Sequence, residues 1–147
     1  MIEIDFKKIE LEDKDLITHY FKHLTSRSCE RTFVNVYLWA RFYHVKFAEV
    51  EHTLVFRTED EDGFSFAYPA GEPENVKKAL DVLMVYSKER GVPFLMYTVT
   101  PDNFEYLEKW YPGRFEIEYV EGDADYVYES EKLATLSGKK LHSKRNH

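Results

Sequence analysis

Residues 73–99, PENVKKALDVLMVYSKERGVPFLMYTV, decide the fold because they join a long helix to a buried strand. Apolar residues at helical spacing predict a helix from Pro73 to Arg90. Proline suits the first turn of that helix, and Gly91 stands just beyond its end. Residues 92–99 are largely apolar, with Pro93 near their start, as expected for a strand at a buried central position of a sheet.

The chain before this unit predicts one strand, two helices and a three-stranded meander. An alternating pattern predicts a strand over residues 2–6. Residues 11–24 carry one apolar helical face with Asp13 as its N-cap, and Thr32 can cap a second helix that runs to Arg41. The meander strands cover residues 44–50, 53–58 and 64–68, and the first two are joined by a tight hairpin at Glu51 and His52.

After the central strand, Thr100 and Pro101 begin a helix that ends near Pro112. Residues 115–120 alternate strictly between apolar and polar, and residues 126–128 can pair back with them. The resulting order is β-α-α-β-β-β-α-β-α-β-β. The sequence therefore predicts an α+β fold with a mixed, mostly antiparallel sheet flanked by helices, formed by residues 1–129 as one domain.

The last seventeen residues, EKLATLSGKKLHSKRNH, reverse the charge of the chain. They hold five Lys and Arg against one Glu, a net charge of +4, whereas the whole chain carries −7. We interpret residues 130–147 as a basic helical junction that leads to a second domain absent from this chain. A solvated charged helix is one reading, and a phosphate contact is the other. The candidate phosphate-binding residues are Lys139, Lys140, His142, Lys144 and Arg145.

Composition limits the class of protein. The chain is 44% hydrophobic and 16% aromatic, which favours a folded globular domain over disorder. Its single cysteine, Cys29, excludes an internal disulfide and fits a reducing compartment. We find neither a membrane span nor the apolar region of a signal peptide, and we expect a cytoplasmic protein. The body is too acidic for a general nucleic-acid binder.

Three residues on the second predicted helix are candidates for a ligand cleft: Asn35, Tyr37 and Trp39. The alternative is that this aromatic stripe belongs to the core, with Asn35 bonded to nearby backbone. His19 and His23 have the i, i+4 spacing of metal ligands, but without further ligands we predict no metal site. The sequence identifies no catalytic residue.

The element order resembles that of the GNAT acyltransferase fold. Residues 29–39 (CERTFVNVYLW), 68–71 (YPAG) and 125–147 further resemble a bacterial family, usually uncharacterised, that is related to the C-terminal domain of phosphatidylglycerol lysyltransferase. The resemblance covers essentially the whole chain and implies a tandem GNAT-like protein of about twice this length, of which this chain is the N-terminal half. Relatives transfer an aminoacyl group from a charged tRNA to an amine or hydroxyl.

The resemblance thus implies an acyl- or aminoacyltransferase whose second GNAT-like domain is a partner in cis. The cofactor of the full-length protein would be acyl-CoA or aminoacyl-tRNA. Its binding partner would be tRNA or another phosphate-bearing ligand. Residues 68–75 depart from the CoA-binding pattern, because they hold one glycine, two prolines and the acidic Glu72 and Glu74. We therefore expect no cofactor in this half and no activity of it alone. The alternative is a non-catalytic binding module for a phosphorylated ligand.

Overall fold

The computed structural model describes residues 1–22, 24 and 32–118, and the backbone of 126–129. Within these residues, seven strands form one sheet in the order β1-β2-β3-β4-β5-β7-β6. The β4–β5 pair is parallel and the other pairs are antiparallel. The strands are β1 Lys7–Lys8, β2 Val45–Val50, β3 Thr53–Asp60, β4 Gly63–Ala67, β5 Leu95–Tyr97, β6 Phe115–Glu118 and β7 Tyr126–Glu129.

In the part of the chain that the structure describes, four α-helices flank this sheet, and a short 3-10 helix, Leu11–Asp13, precedes the first of them. They are α1 Lys14–Phe21, α2 Phe33–Tyr43, α3 Pro73–Glu89 and α4 Pro101–Trp110. The predicted α+β class, with a mixed and mostly antiparallel sheet flanked by helices, is confirmed. So is the element order on which the resemblance to the GNAT fold rests.

The core has two parts that lie on opposite faces of the sheet. Phe66 and Met96 pack with the buried face of α3, whereas their successors Ala67 and Tyr97 belong to the cluster that includes residues of α1 and α2. Successive strand residues point to opposite faces, so β4 and β5 supply side chains to both parts. Each of these interior strands is therefore covered on both sides.

The helix-to-strand unit from α3 to β5 forms as predicted. Pro73 lies in the first turn of α3, and Gly91 follows its end with a positive φ of 67°. Strand β5 is shorter than the predicted residues 92–99, because its paired residues begin only at Leu95, two positions after Pro93. It lies in the interior of the sheet between β4 and β7.

One prediction at the N-terminus is wrong in detail. Residues 2–6 do not form a strand, and the pairing with β2 occurs only at Lys7 and Lys8. The alternating apolar residues Ile2, Ile4 and Phe6 instead pack against the α3 side of the core. The Ile2 backbone forms hydrogen bonds with the side chains of Glu89 and Arg90.

The helix predicted within residues 11–24 forms as α1, and the 3-10 helix precedes it. Asp13 stands at the N-cap position of α1, as predicted, but without a side-chain cap bond. Its carboxylate accepts hydrogen bonds from Lys7 Nζ and from the Glu10 backbone N–H, each at 2.8 Å.

Several predictions lie outside the described residues. These are the roles of His23 and Cys29, the junction 130–147 and its five candidate phosphate-binding residues. Among the residues described, no helix is long and apolar enough to cross a membrane.

Candidate functional site

The carboxyl ends of β4 and β5 meet at one edge of the sheet. The register pairs Ala67 with Tyr97, and the Tyr68 N–H then donates to the Tyr97 carbonyl at 3.0 Å. Short connections lead from this edge into α3 and α4. In open sheets with parallel strands, ligands bind beyond the carboxyl ends of the strands. This edge is therefore the first place in the fold to look for a site.

The backbone is strained where β5 ends. Thr98 has a φ of +56°, in the left-handed region that a β-branched residue rarely adopts, at a cost of about 1–3 kcal/mol. The strain turns the chain from β5 towards α4, whose N-cap Thr100 accepts from the Asn103 N–H at 3.2 Å. Strained residues of this kind cluster at functional sites, which supports the edge as a candidate.

Three tyrosines lie around this edge, and we call them the tyrosine site: Tyr68 after β4, Tyr106 on α4 and Tyr111 just after α4. Tyr68 is only 4% exposed, and burial raises its pKa, with a further contribution from nearby Tyr106. Burial also raises the pKa of Tyr111, as does its hydrogen bond to Asp81. Tyr68 and Tyr111 therefore stay neutral at physiological pH and do not act as bases, and the Tyr111 hydroxyl donates to Asp81.

Helix α3 holds the outer part of this site. Asp81 accepts hydrogen bonds from the Tyr111 hydroxyl and, at 3.0 Å, from Lys77 Nζ. The Lys77 ammonium also lies 5.2 Å from the centre of the Tyr111 ring. These contacts link α3 to the end of α4 and fix the position of the Tyr111 phenol.

The loop between β4 and α3 is attached to β3. Ala70 and Leu54 exchange two backbone hydrogen bonds, each 2.9 Å long. A Cβ on Gly71 would lie 2.9 Å from Thr53 Cγ2, so this glycine permits a close approach to the β2–β3 hairpin. The Ala70 N–H is thus already used, and Glu72 and Glu74 place negative charge beside it. These features differ from those of a loop that presents free N–H groups to a pyrophosphate.

The predicted cleft residues all lie on α2, but they do not share one environment. Asn35 is half-buried, and its backbone N–H donates to the capping Thr32 Oγ1 at 3.4 Å. Tyr37 is half-buried and stacks on Phe33 at a centroid distance of 5.5 Å. Trp39 is 48% exposed. The structure therefore directs Tyr37 towards the core and Trp39 towards solvent, and their ligand role remains a prediction.

The sequence analysis did not single out the tyrosine site or Thr98 as functional. The available signal was the β4-α3-β5 order, since a helix that joins two strands favours a parallel pair whose carboxyl ends share an edge. Among the described residues, no group of three His, Cys, Asp or Glu is placed to hold a metal ion.

Comparisons with known proteins identify the family. Residues 21–147 match the family described as "Phosphatidylglycerol lysyltransferase, C-terminal". The chain belongs to this family. No curated protein matches it.

Two solved structures are similar. One is a conserved protein of unknown function from Bacteroides thetaiotaomicron VPI-5482, with 33% identity, a TM-score of 0.77 and coverage of 99% of this chain and 49% of that chain. This chain thus spans about half the length of that relative. The other is PaiA N-acetyltransferase from Thermoplasma acidophilum in complex with coenzyme A, with 14% identity, a TM-score of 0.49 and coverage of 87% of this chain and 99% of that chain.

Proposed function

We propose that this chain is the N-terminal GNAT-like half of a tandem acyl- or aminoacyltransferase that acts on an amine or hydroxyl acceptor in the cytoplasm. The observation that carries the proposal is the family match over residues 21–147. The Bacteroides relative, of which this chain covers 49%, leaves room for a second domain. In such a transfer, the acceptor attacks an activated acyl carbon, a new C–N or C–O bond forms, and the bond to the acyl carrier breaks.

The contribution of this half is positioning. The Tyr111 hydroxyl donates its one proton to Asp81 and so holds the end of α4 against α3 beside this edge. A transfer from an already activated carrier depends mainly on the correct orientation of the two substrates, and an edge held in this way would contribute to it. The second domain, or a charged tRNA held with it, would supply the remaining contacts.

The test uses the protein expressed from its complete gene. It is incubated with tRNA carrying a labelled amino acid and, separately, with labelled acyl-CoA, together with amine and hydroxyl acceptors that include phosphatidylglycerol vesicles. We expect the complete protein to transfer the label and the 147-residue chain to be inactive. Transfer by the 147-residue chain alone, or by neither protein with either donor, would contradict the proposal.

Tyrosine variants of the complete protein test this positioning role. Tyr111→Phe should lower kcat about tenfold, because the contact with Asp81 that holds the end of α4 against α3 is lost. Tyr20→Phe is the matched control, since the Tyr20 hydroxyl on α1 also donates to a carboxylate, that of Glu49 on β2, at 2.6 Å. A Tyr111→Phe protein with unchanged kcat would show that this contact does not position the substrates.

The attached loop supports a proposal about the cofactor. We expect no measurable binding of acetyl-CoA by the 147-residue chain, because the Ala70 N–H is bonded to Leu54 and two glutamates stand beside it. Calorimetry provides the measurement. Micromolar binding that is lost when Gly71 or Glu72 is changed would show that the loop opens to hold a pyrophosphate.

A non-catalytic binding module for a phosphorylated ligand is the second candidate, and the same attached loop favours it. Its proposed contacts are the basic residues of the C-terminal segment. Neutralising Lys140, Lys144 and Arg145 should weaken binding of tRNA, and the difference should shrink as salt rises, since counterion release drives such affinity. Equal binding at low salt would eliminate this role.

A further inference from the structure

Helix α2 presents an apolar face to solvent. Nine large hydrophobic residues are exposed among those described, and five of them lie on this one helix of eleven residues. They are Val34, Leu38, Trp39, Phe42 and Tyr43, with exposed fractions of 62%, 59%, 48%, 74% and 59%. We call these five residues the α2 surface. An exposed, contiguous apolar patch on a globular domain marks an interaction site.

The residues of the α2 surface form a continuous group. Val34, Leu38 and Phe42 follow one another at i, i+4 spacing and therefore share one side of the helix. Trp39 extends this side, with ring-centre distances of 5.5 Å to Phe42 and 6.0 Å to Tyr43. The opposite side of α2 is already occupied, because Phe33 and Ala40 are buried against the sheet.

The chemistry of the surface favours a protein partner. Arg41 is the only charged residue of α2, so the helix lacks the several Lys and Arg residues that hold amphipathic helices on anionic lipid surfaces. Trp, Tyr, Phe and Arg are the residues enriched at the centres of protein–protein interfaces, where Lys, Glu and Asp are depleted. Three of the five residues of the α2 surface, Trp39, Phe42 and Tyr43, are of these types, and Arg41 lies between them in the sequence.

We propose that the α2 surface is the docking site for the second domain of the same chain, and this inference rests on the proposed tandem function. The Bacteroides relative is 33% identical over 99% of this chain and has about as much chain again beyond the matched part. A domain tethered in cis meets this surface at high effective concentration, which favours it over a separate partner. The surface would then be buried in the complete protein.

Hydroxyl-radical labelling read by mass spectrometry tests this proposal at single residues. The complete protein and the 147-residue chain are labelled at low concentration without lipid. Trp39 should react about fivefold more slowly in the complete protein, because burial in an interface core would reduce its exposed fraction from 48% to about a tenth. Phe42 should be protected in parallel.

Variants of the complete protein supply the control. L38E/F42E should restore labelling of Trp39 to the level of the 147-residue chain. Val85 is a matched site, since it is 44% exposed on α3, and V85E should leave the protection unchanged. If L38E/F42E does not fold, Leu38→Gln alone should give a partial restoration.

Three labelling results would overturn the docking proposal. Equal labelling of Trp39 in both proteins means that no second domain covers it. Protection that grows with the concentration of the 147-residue chain identifies a second copy as the occupant, and protection only with phosphatidylglycerol vesicles identifies a lipid surface. Transfer activity is measured separately: activity without protection contradicts only the docking site, and protection without activity contradicts only the proposed function.

Discussion

Helices α2 and α3 both pack on the sheet, but they present different surfaces to water. Helix α3 buries six residues and exposes mainly charged ones, such as Lys78, Asp81 and Lys88. Helix α2 buries only Phe33 and Ala40 and exposes five large apolar side chains. A helix at the surface of a complete domain has an apolar stripe inside and polar residues outside. The comparison shows that α3 follows this pattern and that α2 does not, and the proposed docking of a second domain would account for the difference.

The largest effect should come from truncating the buried face of α3. Leu83 is fully buried, and Leu83→Ala should lower the free energy of unfolding of the 147-residue chain by about 2–5 kcal/mol, through lost burial and the cavity left behind. Leu38→Ala on α2 removes the same atoms from an exposed position and should change the free energy of unfolding by less than about 0.5 kcal/mol. Urea unfolding measures both. Equal losses for the two variants would mean that α2 is already covered in this chain.

The next effect concerns the loop that leads into α3. Gly71→Ala should cost about 1–3 kcal/mol, because its Cβ would lie 2.9 Å from Thr53 Cγ2. Thr53→Ser removes that methyl group and keeps the hydroxyl that donates to the Val50 carbonyl at 2.6 Å. Part of the penalty should therefore disappear when Gly71→Ala is made in the Thr53→Ser protein. If Gly71→Ala costs as much stability in the Thr53→Ser protein as in the parent, the new Cβ clashes mainly with the His52 carbonyl oxygen, which would lie 3.2 Å from it.

A smaller, pH-dependent effect is expected at Asp13, near the start of α1. Burial raises the pKa of Asp13, but the hydrogen bonds from Lys7 and from the Glu10 N–H outweigh it, so the net pKa is lowered. A carboxyl whose pKa is lower in the folded state stabilises the fold above its unfolded value of about 3.9 and loses that stability as the pH falls through the folded value.

Asp13→Asn should therefore be less stable than the parent at pH 7, by about 1 kcal/mol, and the difference should shrink as the pH drops below 4. Thermal unfolding of both proteins between pH 7 and pH 3 gives the comparison. Asp15→Asn is the control, because Asp15 is exposed in the first turn of α1. A constant difference at every pH would show that Asp13 acts through its shape and not through its charge.

Much of this fold was predictable because local signals agreed with the tertiary structure. The sequence correctly predicted α3 from its helical spacing and the start of α4 from the Thr100 cap. It also predicted the hairpin at Glu51 and His52, where both residues have a positive φ. The strand predicted at residues 2–6 was wrong because alternation reports burial on one side and not backbone pairing. The apolar residues of this segment are instead partly buried by packing against the α3 side of the core.

The tyrosine site was less predictable, since it depends on parts of the chain that are distant in sequence. Tyr68 and Tyr106 come together only through the parallel pairing of β4 with β5. The strain at Thr98 has no sequence signal, because threonine favours extended backbone and the surrounding structure imposes the positive φ. The α2 surface was noticed as an aromatic stripe, but its exposure could not be read from spacing alone.

Hydrogen–deuterium exchange tests the contrast between α2 and α3 most directly. Amide exchange of Phe33–Tyr43 and Pro73–Glu89 is compared between the 147-residue chain and the protein from the complete gene. If a second domain covers α2, its amides should exchange at least about tenfold more slowly in the complete protein, while the rates in α3 change much less. Unchanged rates in α2 would contradict the account and leave its apolar face exposed in the complete protein.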